Sequence, residues 1–266
     1  MWNSTSVSYI FVKCCLLSIC ITSFSTCARI VPENLSKSLG RRSINGVHSS
    51  VKTSQSLNCF TGKAGKGDML KAADYLETLR MYAFDDRICS CCFTGIWILY
   101  AKENFNIESP SSANWWAYGD NYCTNVPAGF ENKASSIRFL GAPDDWKYDT
   151  LNLYLENFFI GDEEFMYNDM GTLKYDNRAK SVIVTGCSAW TLYQYDNYQG
   201  AALCVFPSHM GNCNPGFYST SDQLGVLAGQ VSSARRGCFA SEKAYPENNG
   251  IKAPQNVPNW IFPSKK

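Results

Sequence analysis

The sequence predicts an all-β protein, a sandwich of three Greek keys preceded by a short N-terminal helix. Three observations carry that reading. A phrase returns, Leu153-Tyr154-x-x-x-x-Phe159-x-Gly161 and then Leu192-Tyr193-x-x-x-x-Tyr198-x-Gly200. Each copy is followed some tens of residues later by a serine that opens an alternating strand, at Ser181 and at Ser232-Ser233, and the same ending stands alone at Ser135-Ser136-Ile137-Arg138-Phe139. Finally, 266 residues with 45% hydrophobic and 14% aromatic content supply ample material for a packed core.

The phrase has a physical basis. An aromatic that closes a hairpin over a glycine needs a backbone with positive φ, which glycine adopts cheaply, while the leading tyrosine brings a strand into the turn. The serine hydroxyl then ties the folded hairpin to the later strand. Tyr154, Phe159, Gly161 and Ser181 anchor one key, and Tyr193, Tyr198, Gly200 and Ser233 anchor the next. An earlier key has two candidate starts. The preferred one runs through Leu79, Tyr82 and Phe84, with Gly95 to Tyr100 as its returning strand; the other, Tyr100-x-x-x-x-Phe105, carries Ile107 where the glycine is expected.

The segments follow in order. Residues 1–28 read as a signal peptide, an apolar run Cys14 to Thr22 behind Lys13 that ends in small residues and suits cleavage after Cys27 or Ala28. The run is shorter than the ~20 residues a membrane span needs. Residues 29–58 are a polar linker or pro-segment with a glycosylation sequon at Asn34 and the dibasic Arg41-Arg42. Residues 59–78 form a helical lead-in, because Leu70, Ala73 and Leu76 recur at helical spacing behind Asp68. Residues 79–186 hold two keys (79–141 and 142–186), 187–240 the third, and 241–266 a Pro-rich tail ending in Trp260-Ile-Phe.

Composition excludes some functions. A formal charge of +1, with Lys and Arg scattered, gives no basic stripe for nucleic acid. With His48 and His209 the only histidines, and with carboxylates such as Asp144-Asp145 and Asp162-Glu163-Glu164 adjacent rather than facing, no catalytic constellation emerges and the chain reads as non-enzymatic. Four of the 13 cysteines lie at or before Cys27, leaving nine in the mature chain. That density favours disulfides and an oxidising, secretory compartment. Connectivity does not follow from the sequence. A Cys187–Cys238 bridge would staple the ends of the third key, and a Cys204–Cys213 bridge would close a loop inside it. The odd thiol is free or links two chains. Trp115-Trp116-x-Tyr118 and Tyr193, Tyr195 and Tyr198 are candidate stacking platforms for a glycan.

The aromatic, glycine and serine anchors resemble the βγ-crystallin superfamily. Met81 to Cys92, Ala134 to Arg138 and Cys187 to Cys238 also resemble syncollin-like secreted proteins. The superfamily likeness implies calcium sites, each a six-residue loop ahead of the last strand, built by two keys together. Glu131, Asn132 and Ser135 from one loop and Asp176 and Asn177 from the next would supply oxygens, with Lys180 in a hydroxyl place weakening the pair and Lys180→Thr expected to restore affinity. The implied function is a secreted, disulfide-stabilised binding or structural protein of granules or membrane surfaces. Its partner would be a protein, a glycan or a membrane surface, with no nucleic acid and at most weak Ca2+ as cofactor. A homodimer through an unpaired key or the odd cysteine is the expected assembly. The alternative is a secreted defence protein or toxin activated by propeptide removal at Arg42.

Overall fold

The computed structural model of the chain describes residues 54–208 and 212–246. The signal segment, Asn34, Arg42, both histidines and the tail beyond residue 246 lie outside the described residues. The strands are β1 (Ser56–Phe60), β2 (Met69–Ala72), β3 (Ser90–Tyr100), β4 (Asn114–Asn125), β5 (Ser136–Leu140), β6 (Thr150–Tyr154) and β7 (Glu163–Met166). They continue with β8 (Ser181–Thr185), β9 (Trp190–Tyr195), β10 (Gln199–Val205), β11 (Gly216–Tyr218), β12 (Ser233–Arg236) and β13 (Lys243–Ala244).

The recurrent phrase builds the hairpins as its chemistry requires. Ser181 Oγ donates to Glu156 O at 2.6 Å and accepts from Phe159 N at 3.0 Å, while Lys180 N donates to Tyr154 O at 2.8 Å. In the next key Ser233 Oγ donates to Tyr195 O at 2.6 Å and accepts from Tyr198 N at 3.0 Å, and Ser232 N donates to Tyr193 O at 2.9 Å. The same three bonds recur at Ser136, which joins Lys102 O at 2.6 Å and Phe105 N at 3.0 Å, with Ser135 N on Tyr100 O at 2.8 Å. The earlier key therefore starts at Tyr100 and not at Leu79. Ile107 is accommodated because Asn106, fully buried, holds the turn: its side chain accepts from Lys102 N at 2.8 Å and donates to Ser112 O and Ala113 O.

A fourth hairpin of this build stands where the sequence suggests a helix. Ser90 Oγ donates to Gly62 O at 2.6 Å and accepts from Gly65 N at 3.1 Å, and Cys89 N donates to Phe60 O at 2.9 Å. Phe60-x-x-x-x-Gly65-x-Gly67 is thus the phrase with glycine in place of the second aromatic. The expected helix after Asp68 is strand β2, paired with β1 through Leu70↔Cys59 and Ala72↔Leu57. Leu70 and Ala72 keep the strand period of two whereas Leu70, Ala73 and Leu76 keep the helical one, and the partner strand decides between them.

Keys pair within two units, and the pairing differs from the expected grouping of 79–141 with 142–186. In the second unit the sheet order is β11-β8-β6-β7, so that β11 of the last key completes the sheet of the key before it. Met170 of that earlier key returns the exchange by bridging Ala234 of β12. The first unit repeats the exchange: the end of β4 pairs the start of β3, and Leu76 bridges Ile137 of β5. Here β3 runs unbroken from one key into the next, bulged at Phe93/Gly95, where Gly95 has φ +100. Each unit has its own core. Leu57, Phe93, Trp97, Leu99 and Phe139 fill the first, and Leu151, Val182, Val184, Trp190 and Leu192 fill the second.

A third apolar layer joins the units. Ile96, Ile98, Tyr100, Tyr118 and Leu140 on the outer face of the first pack against Tyr154, Ile183 and Phe217 on the outer face of the second. Strands β3 and β8 are consequently buried on both faces, which explains their unbroken runs of apolar residues.

The disulfides are Cys59–Cys91, Cys92–Cys123, Cys187–Cys213 and Cys204–Cys238. The expected Cys187–Cys238 and Cys204–Cys213 pairs are exchanged. The cause is topological: Cys204 lies on the outer face of β10, and the chain after β12 crosses that face, bringing Cys238 to it. Cys91 and Cys92 point to opposite faces of β3, so the vicinal pair stitches β3 to β1 on one side and to β4 on the other. Cys89 is the odd thiol, buried and free.

Candidate functional site

Each returning serine closes a six-residue loop: 85–90, 131–136, 176–181 and 228–233. The second residue of every loop is left-handed, with φ of 53° at Asp86, 58° at Asn132, 54° at Asn177 and 64° at Gly229. Asp and Asn tolerate that conformation better than other side chains, and glycine does so freely. The loops then meet in pairs. Asp86 N donates to Ala134 O at 2.9 Å and Asn132 N to Ile88 O at 3.0 Å; in the second unit Asn177 N donates to Val231 O at 3.0 Å and Gly229 N to Ala179 O at 3.1 Å. The Glu131 loop therefore faces the Asp85 loop, not the Asp176 loop as expected. Keys pair within units, and β5 and β8 belong to different ones.

Side chains follow this reciprocity. The fifth residue of one loop lies against the head of the other: Cys89 Sγ donates to Asn132 Oδ1 at 3.1 Å, and Ser232 Oγ to Asn177 Oδ1 at 3.4 Å. Four half-sites result, and their donor sets differ. Cys89 with Glu131 and Asn132 offers a thiol in the hydroxyl place. Burial, with Glu131 beside it, pushes that thiol up, and Lys63 pairs with Glu131 at 3.2 Å. Lys180 faces Ala228 and Gly229, which bring no carboxylate, and its ammonium turns back to Glu156 at 2.7 Å. Neither set suits a hard dication.

The other two keep oxygens. Ser232 faces Asp176 and Asn177, and by the same reciprocity Ser135 belongs with Asp85 and Asp86. Asp85 Oδ1 is buried with no hydrogen-bond partner, whereas Oδ2 accepts from Arg80 Nε at 3.1 Å. An unpaired buried carboxylate oxygen is the donor a cation would take. Of the five residues expected as ligands, Ser135, Asp176 and Asn177 fall in these two sets, and Glu131 and Asn132 fall in the thiol set. Asp85 and Asp86 were missed. Their signal, Asp85-Asp86-x-x-Cys89-Ser90, is the loop pattern with cysteine replacing a hydroxyl. Among the described residues no three His, Cys, Asp or Glu side chains converge as a ready metal cluster.

Trp115 and Trp116 do not form an open stacking platform. Trp115 is buried and meets Phe93 edge-on at 5.5 Å, while Trp116 is half-buried between the units and meets Phe159 edge-on at 5.0 Å. Of the second set, Tyr193 is buried and packs on Tyr198, while Tyr195 stands 58% exposed.

The four exchanged keys with their paired loops define a class, disulfide-stitched Greek-key sandwich proteins of two units. No family model matches the chain, and no curated protein does. Among solved structures it is similar to Geodin, a beta-gamma crystallin from Geodia cydonium, at 19% identity over 68% of this chain and 98% of that one, with a TM-score of 0.53. Further similarities are to a betagamma-crystallin from an archaeon (22% identity, 33% of this chain and 96% of that one, TM-score 0.29) and a beta gamma crystallin from Ciona intestinalis (17%, 32% and 99%, TM-score 0.27). The chain has the βγ-crystallin fold.

Proposed function

We propose that the chain is a secreted, non-enzymatic βγ-crystallin-type binding or structural protein, working at granule or membrane surfaces and holding calcium weakly. The observation that supports it best is the investment in rigidity. Two cores and a third apolar layer are stacked without a break, and eight cysteines are closed in four bridges. Such bridges suit an oxidising compartment. Two half-sites with oxygen donors, one of them crowded by the Arg80 guanidinium, support low calcium affinity rather than none.

Calorimetry at fixed ionic strength tests the calcium reading. The wild type takes up calcium weakly, Asp85→Asn and Asp176→Asn each remove one site, and Lys180→Thr changes nothing, because the loop facing it has no carboxylate. A gain in the Lys180→Thr variant, or wild-type uptake that survives both carboxylate changes, would exclude this assignment.

A further inference from the structure

The outer face of the β12-β9-β10 sheet repeats, position for position, the face by which the first unit grips the second. Counted from the leading tyrosines, Tyr100 and Tyr193, the strand registers align Ile98 with Thr191, Trp116 with Cys204 and Arg138 with Arg235. Extended by two residues, they align Ile96 with Ala189 and Tyr118 with Phe206. In the first unit this face is buried against Tyr154, Ile183 and Phe217 of the second. In the second unit a strap, residues 237–245, crosses it instead.

The strap takes the place of a neighbouring unit. Arg138 lies over the Tyr154 ring of the opposing unit at 4.8 Å, and Arg235 lies over Phe239 of the strap at 4.4 Å. Tyr118 packs on Phe217 at 5.9 Å, and Phe206 is stacked by Tyr245 at 4.9 Å. The strap is held by the Cys204–Cys238 bridge, by Thr191 Oγ1, which donates to Gly237 O and accepts from Phe239 N, and by the short β10–β13 pairing. Beneath it Ala189, Thr191, Cys204 and Phe206 are buried, whereas Phe239 and Tyr245 are themselves 57% and 65% exposed. A thin cover with its own aromatics in solvent is standing where a whole sheet stands in the other unit.

We propose that the strap covers a docking face whose partner is a second copy of this chain. The same registers define the mating surface. Tyr154, Glu163, Ile183 and Phe217 correspond to Phe60, Met69, Cys92 and Cys123, an apolar cluster on the outer face of the first unit that is buried except at the part-exposed Met69. The second unit of one copy then receives the first unit of the next, by the geometry that joins the two units within a chain. The contact is head-to-tail, so it propagates into chains rather than closing a dimer.

The test uses the full-length chain carrying Cys204→Ala, Cys238→Ala, Phe239→Ser and Tyr245→Ser, followed by size-exclusion chromatography with light scattering over a wide concentration range. Uncovering the face shifts the mass from one chain to two and more as concentration rises, relative to a monomeric wild type, and adding Met69→Arg on the mating face returns it to one. A monomer at every concentration, with a native near-ultraviolet dichroism spectrum, overturns the proposal. Association that Met69→Arg leaves unchanged does so too. Should the fourfold variant not fold, Cys204→Ala with Cys238→Ala, which releases the bridge that holds the strap, carries the same expectation and is decided by the same two outcomes.

Discussion

Single hydroxyls and carboxylates hold the hairpins of this molecule in place. Ser181 is fully buried and satisfies both Glu156 O and Phe159 N, so Ser181→Ala leaves a backbone donor and an acceptor unpaired in the interior. The expected loss is about 1–3 kcal/mol, read from denaturant midpoints. A change no larger than an exposed Ser→Ala substitution would mean that water replaces the hydroxyl. Asp149 acts similarly at the crossing between the two keys of the second unit. One carboxylate oxygen accepts from Cys187 N at 2.7 Å and Ser188 N at 2.9 Å, and the other from Ser188 Oγ at 2.6 Å. Burial pushes this carboxyl up, but those donors and the Arg236 guanidinium outweigh it and hold it below its ordinary value of 3.8. Because the folded state depresses it, its contribution is full above that value and is lost as pH falls below it. The stability gap between wild type and Asp149→Asn should accordingly be constant near neutrality and close in acid. A gap that stays open at low pH would assign the loss to geometry alone.

At the scale of elements, what the sequence disclosed depended on whether a key kept its aromatic and its glycine. The two later keys keep both, and in each the glycine has positive φ and the serine bonds the folded hairpin. The first key was hidden because Gly65 replaces the aromatic and because β3 passes from one key to the next without a turn to mark the boundary. The second was given the wrong start because Asn106 does by side-chain hydrogen bonds what a glycine does by conformation. Disulfide partners and loop partners were illegible for a different reason: both depend on which keys exchange strands, a long-range choice that local pattern does not encode. The glycines that were read can be tested. Gly161 and Gly200 sit at φ +87° and +83°, so Gly161→Val and Gly200→Val each force a β-branched residue into the left-handed region, at a cost of about 1–3 kcal/mol. The extra clash at Gly200 is with Tyr195, whose ring is exposed and can swing aside, so thermal denaturation should show similar losses for both. Wild-type stability in either variant would contradict the turn assignment.

The whole molecule is a stack of faces, and its middle layer contains a feature that an apolar interface would be expected to exclude. Arg138 is 2% exposed on β5, where its Nε donates to Tyr100 Oη at 2.8 Å and its terminal nitrogens to Gly161 O and Phe159 O across the unit boundary. Its guanidinium also lies between the rings of Tyr100, Phe105 and Tyr154, and Tyr154 Oη donates to Glu163 at 2.8 Å, with Tyr75 Oη on the other oxygen of the same carboxylate at 3.0 Å. A buried cation so fully bonded does little for stability beyond an apolar residue of its size, but its removal is costly, because Gly161 O and the Tyr100 phenol lose their donor and Phe159 O keeps only Tyr100 Oη. Two of the bonds that would be lost, to Gly161 O and Phe159 O, join the units. Arg138→Ala is therefore expected to cost about 3–5 kcal/mol and to change the form of unfolding as well as its temperature. In the wild type the shared layer couples two cores into one calorimetric transition; in the variant each unit retains its own core and two bridges, and the transition divides into two. A wild-type trace already resolved into two steps would show that the middle layer does not couple the units, and a single shifted step in Arg138→Ala would show that Ile98, Ile183 and Phe217 suffice without the cation.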